Sequence, residues 1–264
     1  MESTSNENNS ASVFNDLDRF ELPETPDEME LAPGQRVVAV GDIHGNYCLL
    51  VRCLQAADLI AWTKKETESS IGDDVEEWNW IGGNTILVQV GDLVDRGDEE
   101  VKVFLLLARL GREALKSGGA VVVLWGNHEV DNACGLFTYA RFYDTPWVDA
   151  LGSILAKEHG PNWQEQVRIL SKSKSDWNQT RDPARWPAFR PGGMLAKPFL
   201  SKLKIMAKVG KTVFVHAGFH ARHIAQYGGI ATMNEVARNW ILHDVLSGLE
   251  KGEEDDENVT AILE

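Results

Sequence analysis

Short blocks of β-branched and apolar residues alternate along this chain with stretches whose apolar positions recur at helical spacing. Residues 36–40, 85–90 and 121–124 are compact apolar runs, and each predicts a strand. Between the first two, Leu49, Leu50, Cys53, Leu54 and Ala57 form a helical stripe that Asn46 is placed to cap. Between the next two, Val101, Phe104, Leu105, Ala108 and Leu115 mark a helix over 99–116. Asp98, Glu99 and Glu100 suit the positive end of its dipole. This β-α-β-α-β order argues a layered α/β fold. A fourth apolar run at 213–215 predicts a further strand, and a helix follows over about 234–246.

Two stretches break the alternation. Residues 62–83 read as a polar, acidic loop carrying Trp62, Trp78 and Trp80. Residues 130–200 hold Trp147, Trp163, Trp177 and Trp186 among turn signals such as Arg181-Asp182-Pro183. They are expected to form a mostly helical insertion beside the carboxyl ends of the strands, with most of the tryptophans buried by packing and the walling of a substrate groove as the alternative.

Charge separates the ends from the body. Residues 1–31 and 250–264 together carry the whole net charge of −14, while residues 32–249 balance 24 acids with 24 bases. Residues 1–31 are expected to be a disordered lead-in, 32–249 the folded domain and 250–264 an acidic tail. Acidic ends repel phosphate backbones and anionic lipid, so neither nucleic acid nor a membrane is an expected partner. No apolar run approaches the roughly 20 residues of a membrane span. The start, Met1 to Asp18, lacks the basic and then apolar pattern of an export signal, so a cytoplasmic location is expected. Cys48, Cys53 and Cys134 are too few and wrongly spaced for a disulfide framework or a metal clip. They read as buried free thiols.

The chemistry sits just past the strands. Gly41-Asp42-Ile43-His44-Gly45 follows the first, Gly91-Asp92-Leu93-Val94-Asp95-Arg96-Gly97 the second, Gly126-Asn127-His128-Glu129 the third, and His216-Ala217-Gly218 the fourth. In an open α/β sheet that edge is where ligands bind. Hydrolysing a phosphate monoester needs charge neutralisation and a strong nucleophile at neutral pH. Two divalent cations about 3.5–4 Å apart supply both. Asp92 is central among the motifs and is the expected bridge. Asp42 and His44, two apart on an extended strand end, can reach one metal, and Asn127 and His216 the other. Mixed oxygen and nitrogen donors suit Mn, Fe or Zn. A hydroxide held between the metals is the expected nucleophile. His128, oriented by Asp95, is the expected acid for the leaving group, and Arg96 offers a fork for phosphate. Gly210-Lys211-Thr212 imitates the end of a phosphate-binding loop, but Ile205 stands where that motif needs glycine.

At these residues the chain resembles the calcineurin-like metallophosphoesterases, within them the phosphoprotein phosphatases, and more narrowly the Shewanella-like protein phosphatases. Asn132, Gly135-Leu136-Phe137-Thr138-Tyr139, Pro191-Gly192-Gly193-Met194-Leu195-Ala196 and Val215-His216-Ala217-Gly218 carry the narrower likeness. The resemblance runs from about Arg36 to about Trp240. It implies a metallophosphoesterase-type β-sandwich flanked by helices in four layers, α-β-β-α. It also implies a bimetal centre and dephosphorylation of protein side chains, with Asp42, His44 and Asp92 on the first metal and Asp92, Asn127 and His216 on the second. Arg96 and Asn127 would bind substrate. Trp125 stands where mainstream members have Arg, and Leu136 and Thr138 replace an Asp and an Arg. The family's further metal-binding His and second phosphate Arg are not found before Glu264. The last strands are therefore expected to be missing. The rival readings are a dinucleoside polyphosphate hydrolase and a weakened, non-catalytic binder of phosphorylated partners.

Overall fold

The computed structural model describes residues 17–63, 78–140, 146–165 and 184–243. In chain order these hold β1 (Glu28–Met29), β2 (Val37–Val40), α1 (Tyr47–Ala56), β3 (Ile60–Trp62), β4 (Trp78–Trp80) and β5 (Ile86–Gln89). Then come α2 (Glu100–Lys116), β6 (Ala120–Val123), α3 (Asn127–Ala133), α4 (Pro146–His159), α5 (Arg185–Phe189), β7 (Met206–Val209), β8 (Thr212–Val215), α6 (Ala221–Tyr227) and α7 (Ile230–Leu242).

Strands β2, β5 and β6 make one parallel sheet in that order, with β5 in the middle and Val37 opposite Ile86 opposite Ala120. A central strand covered on both faces reads as unbroken apolar sequence, and every residue of β5 and β6 is buried. Their side chains alternate between two layers. Ile86, Val88, Ala120, Val122 and Leu124 meet Ala207 and Val209 of β7 and its end, with Phe214 of β8 packed alongside. Leu87, Val121 and Val123 face the helical layer, where α2 lies against β6. The second sheet runs β1-β7-β8, with β7 parallel to β1 and antiparallel to β8. Helix α7 leans on β7. The expected α/β sandwich of stacked sheets with flanking helices is what forms.

Local signals place most elements well. Asn46 caps α1 by accepting from the Leu49 N–H at 2.9 Å, which satisfies one of the orphan donors of a helix start. Three expectations need correction. Residues 17–31 are folded: Leu17–Phe20 is a 3-10 turn, β1 pairs with β7, and Phe20 and Leu22 are buried at 0% and 1% exposure. Two large apolar side chains in a polar segment suffice to dock it, and Asp27 accepts from buried Lys204 at 2.6 Å. Residues 1–16 and 250–264 lie outside the described residues. Trp78 and Trp80 are not in a loop but form β4, antiparallel to β3. Both are buried, and Trp62 stacks edge-on to Trp78 at 4.9 Å. Cys48 is exposed and Cys53 and Cys134 are half-buried, so none is buried as expected, and none forms a disulfide.

Within 130–200, the described part supplies α4, α5 and the 3-10 turn Leu200–Lys202. Trp147, Trp163 and Trp186 are buried, while Trp177 and Arg181-Asp182-Pro183 lie outside the described residues. Phe104 of α2 anchors this region, with the rings of Trp147, Phe189 and Phe199 at 5.4, 5.9 and 4.3 Å. No helix among the described residues is long and apolar enough to cross a membrane.

Candidate metal centre and active site

The loops after β2, β5 and β6 leave the same edge of the parallel sheet and are stitched together. The Asp92 carbonyl accepts from the N–H groups of Ile43 and His44, both at 2.9 Å. His216 arrives from elsewhere, at the end of β8 in the second sheet. Among the described residues, five non-glycine residues have positive φ. Four of them are His44 (48°), Asp92 (56°), Asp95 (69°) and Arg96 (63°). Backbone strain of this kind survives only where the surroundings hold it, and it concentrates at functional sites. Gly126 answers a steric demand: a Cβ there would overlap the Asp92 backbone N and carboxylate.

The expected ligands converge. His44 Nε2 lies 3.8 Å from Asp42 Oδ2 and 3.7 Å from Asp92 Oδ2. His216 Nε2 lies 3.5 Å from Asp92 Oδ1 and 3.1 Å from Asn127 Oδ1. Asp42, Asp92 and His216 can offer ligand atoms within 4.8 Å of one another, as can His44, Asp92 and His128.

The donor chemistry suits cations. The other ring nitrogen of each histidine faces a backbone carbonyl, His44 Nδ1 on Val94 O at 3.0 Å and His216 Nδ1 on Val90 O at 2.8 Å. A carbonyl only accepts, so each Nδ1 carries the proton and each Nε2 presents a lone pair. Those lone pairs point at carboxylate and amide oxygens. Such an arrangement is repulsive without positive charge between, and carbonyl-oriented histidine is a recurring feature of metal ligation. Asp42, His44, Asp92, Asn127 and His216 therefore fit divalent cations.

His128 differs from its neighbours. It is 1% exposed, and its Nδ1 meets a carboxylate, Asp95 Oδ2, at 2.6 Å. Its Nε2 lies 3.1 Å from Arg96 Nη2 and 4.0 Å from Asp92 Oδ2. Arg96 rests on Tyr139, its guanidinium 5.7 Å from the ring centre.

Sequence reasoning missed the groups behind these. Glu129 is fully buried. Its Oε2 accepts from the N–H groups of Asp92 (2.8 Å) and Gly126 (2.9 Å), and its Oε1 from those of Leu93 (2.7 Å) and Val94 (3.1 Å). Burial, then the Asp92 carboxylate, push its carboxyl up to about 8, while the backbone donors pull it down. Glu at the third position of a helix reaching back to its start is a known capping pattern, so Gly126-Asn127-His128-Glu129 held a readable signal. Glu100, Asn132 and Arg185 form a buried network beside Asp95, and for Arg185 no local signal exists.

The chain has relatives among known proteins. The pattern of the calcineurin-like phosphoesterases matches residues 35–258. The chain is 35% identical over 236 residues to Shewanella-like protein phosphatase 2 of Arabidopsis thaliana, across 84% of this chain and 53% of that protein. It is 38% identical over 106 residues to Shewanella-like protein phosphatase 1 of Plasmodium berghei, across 40% of this chain and 25% of that protein. Against the Arabidopsis relative, the chain spans about half the length. Two solved structures share the fold at 19% identity. One is a mutant cold-active protein tyrosine phosphatase, with a TM-score of 0.61 over 93% of this chain and 58% of that one. The other is the cold-active protein-tyrosine phosphatase of a psychrophilic Shewanella, with a TM-score of 0.58 over 93% and 65%. The family pattern spans most of the chain: the chain belongs to the calcineurin-like phosphoesterase family.

Proposed function

We propose that this chain is a metal-dependent protein phosphatase that hydrolyses phosphate monoesters on protein side chains. The observation that carries the reading is the convergence of Asp42, His44, Asp92, Asn127 and His216 beside the His128–Asp95 pair and Arg96. Two cations would be held, the first by Asp42, His44 and Asp92 and the second by Asp92, Asn127 and His216. Nitrogen and oxygen donors together favour Mn, Fe or Zn. Bound there, divalent cations neutralise phosphoryl charge and acidify water.

The remaining work falls to the chain's own side chains. Arg96 presents a planar fork to two phosphoryl oxygens, and the Asn127 amide helps to orient the group. With Arg96 turned to the phosphoryl group, His128 Nε2 is open to carry a proton to the departing oxygen, while Asp95 holds Nδ1. Arg96 Nη2 can only donate and does so to His128 Nε2 at 3.1 Å, so a phosphoryl group that draws Arg96 away frees Nε2 beside the departing oxygen. Cysteines outside any disulfide, one of them exposed, fit a reducing, cytoplasmic setting.

The test is turnover of a chromogenic aryl phosphate by purified chain with added Mn²⁺, against Asp92→Asn. Phosphoserine, phosphothreonine and phosphotyrosine peptides follow, then a dinucleoside polyphosphate. Turnover of phosphopeptides above the Asp92→Asn background is expected. Cleavage of the dinucleotide alone would replace the protein phosphatase reading.

A further inference from the structure

Behind the His128–Asp95 pair lies a cluster of charge that takes no part in the chemistry just described. Arg185, at the start of α5, is 3% exposed. Its Nη2 donates to Asp95 Oδ1 at 2.6 Å and to Glu100 Oε1 at 2.9 Å. Its Nη1 donates to Glu100 Oε2 at 2.7 Å, and its Nε to Asn132 Oδ1 at 2.6 Å. Each of those three partners leads to His128. Asp95 turns its second oxygen to His128 Nδ1. Asn132 Nδ2 donates to that same oxygen at 3.1 Å and to the His128 carbonyl at 2.8 Å. Glu100 Oε1 accepts the Asp95 backbone N–H at 2.7 Å and so holds a residue with a φ of 69°. Trp147 Nε1 closes the far side on Glu100 Oε2 at 2.7 Å.

We propose that Arg185 is a positioning residue for proton delivery: by pinning Asp95 Oδ1 and Glu100, it fixes the direction in which Asp95 meets His128. The inference rests on the phosphatase reading above. Its physical ground is rotational. A carboxylate with one free oxygen swings about its terminal torsion, which is a soft one. With Oδ1 held by a guanidinium and Oδ2 shared between His128 and Asn132, Asp95 has one orientation, and the imidazole plane follows it. A lysine cannot replace the fork, since a point charge cannot reach Asp95, Glu100 and Asn132 from three nitrogens. Glue alone is a weak explanation, because a buried ion pair of this kind adds little stability over an apolar substitute.

Proton delivery matters in proportion to the basicity of the leaving group. The experiment therefore compares a dinitrophenyl phosphate, whose phenolate leaves unaided, with a phosphoserine peptide, whose alkoxide does not. Arg185→Lys is expected to lower kcat on the peptide at least about tenfold more than on the dinitrophenyl ester, with KM little changed. The double variant Arg185→Met with Glu100→Gln keeps the buried net charge and is expected to show the same split. Trp147→Phe removes one hydrogen bond to Glu100 while keeping aromatic bulk, and extends the test to a milder perturbation, with a split of about threefold. Leu106→Ala in α2 serves as a destabilised control that lowers both esters alike. Equal losses on both esters in the Arg185 variants, or a change in KM alone, overturn the inference and leave the phosphatase standing. A wild-type chain inert on both esters overturns both.

Discussion

Replacing Glu129 by Gln removes one charge and one acceptor and leaves the shape of the side chain unchanged. The consequence follows from counting donors. Four backbone N–H groups end on this carboxylate, two on each oxygen, at 2.7–3.1 Å. Gln keeps one oxygen, and whichever way its amide turns, the NH₂ group faces two N–H donors. Two buried donors then lose their acceptor at about 1–3 kcal/mol each, so about 2–6 kcal/mol of stability goes. Against the 5–15 kcal/mol typical of a domain, that is a large share. A second effect reads on function. The Asp92 N–H is one of the four, and these bonds help to hold Asp92 at its φ of 56°. Loosening an outer partner of a ligand weakens metal affinity by about 10–100-fold. Urea unfolding above pH 8 measures the first effect and calorimetric Mn²⁺ titration the second, with half-exposed Glu99→Gln as control. An unchanged urea midpoint above pH 8, where the carboxylate is ionised, would refute the reasoning. Below that, burial favours the protonated carboxyl and the loss is smaller.

Two further outcomes are expected. Phe20→Ala empties a site of 0% exposure beside the Trp147 ring, 6.3 Å away. It is expected to lower stability by about 3–5 kcal/mol, and a thermal midpoint equal to wild type would put residues 17–31 outside the folded body. Chelation is expected to abolish turnover and lower the thermal midpoint. Mn²⁺ at about 100 times its Kd is expected to restore about 2.7 kcal/mol, and a midpoint indifferent to chelator and Mn²⁺ would refute a cation centre.

How much of this was legible in the sequence depended on the range of the interactions. Strands β2, β5 and β6 and helices α1 and α2 fall within one residue of their expected bounds at most ends, because alternation, periodicity and the Asn46 cap are local. The ligand loops were readable for the same reason: each follows an apolar run and carries its ligands within a few residues. What failed was averaging. Residues 17–31 are acidic in the mean, and the mean hides Phe20 and Leu22. Residues 62–83 are polar in the mean, and the mean hides the pairing of Trp78–Trp80 with Ile60–Trp62. The partners of Asp95 were beyond reach for another reason, since Arg185 lies 90 residues away in sequence and in a segment without periodicity.

His216 shows why such a centre belongs to the whole sandwich and not to one loop. Asp42, His44 and Asp92 sit on loops past the ends of a single parallel sheet, and Asn127 opens α3 at the same edge, so strand register sets their spacing. His216 rides on β8, and only the packing of one sheet on the other brings it to Asp92. That spacing is fixed by Val88, Val122 and Leu124 against Ala207 and Val209, close-packed apolar groups that yield little. One hydrogen bond then ties the tip of β8 to the first sheet, His216 Nδ1 on the Val90 carbonyl at 2.8 Å. The same bond selects the tautomer that leaves Nε2 free to face Asp92 and Asn127. The contact that docks the second sheet is thus also the one that prepares a ligand, so cation affinity and the seating of the two sheets are a single property of the fold. Any cation bound jointly by Asp92 and His216 pulls the sheets together with a free energy that the local sequence of neither loop can express.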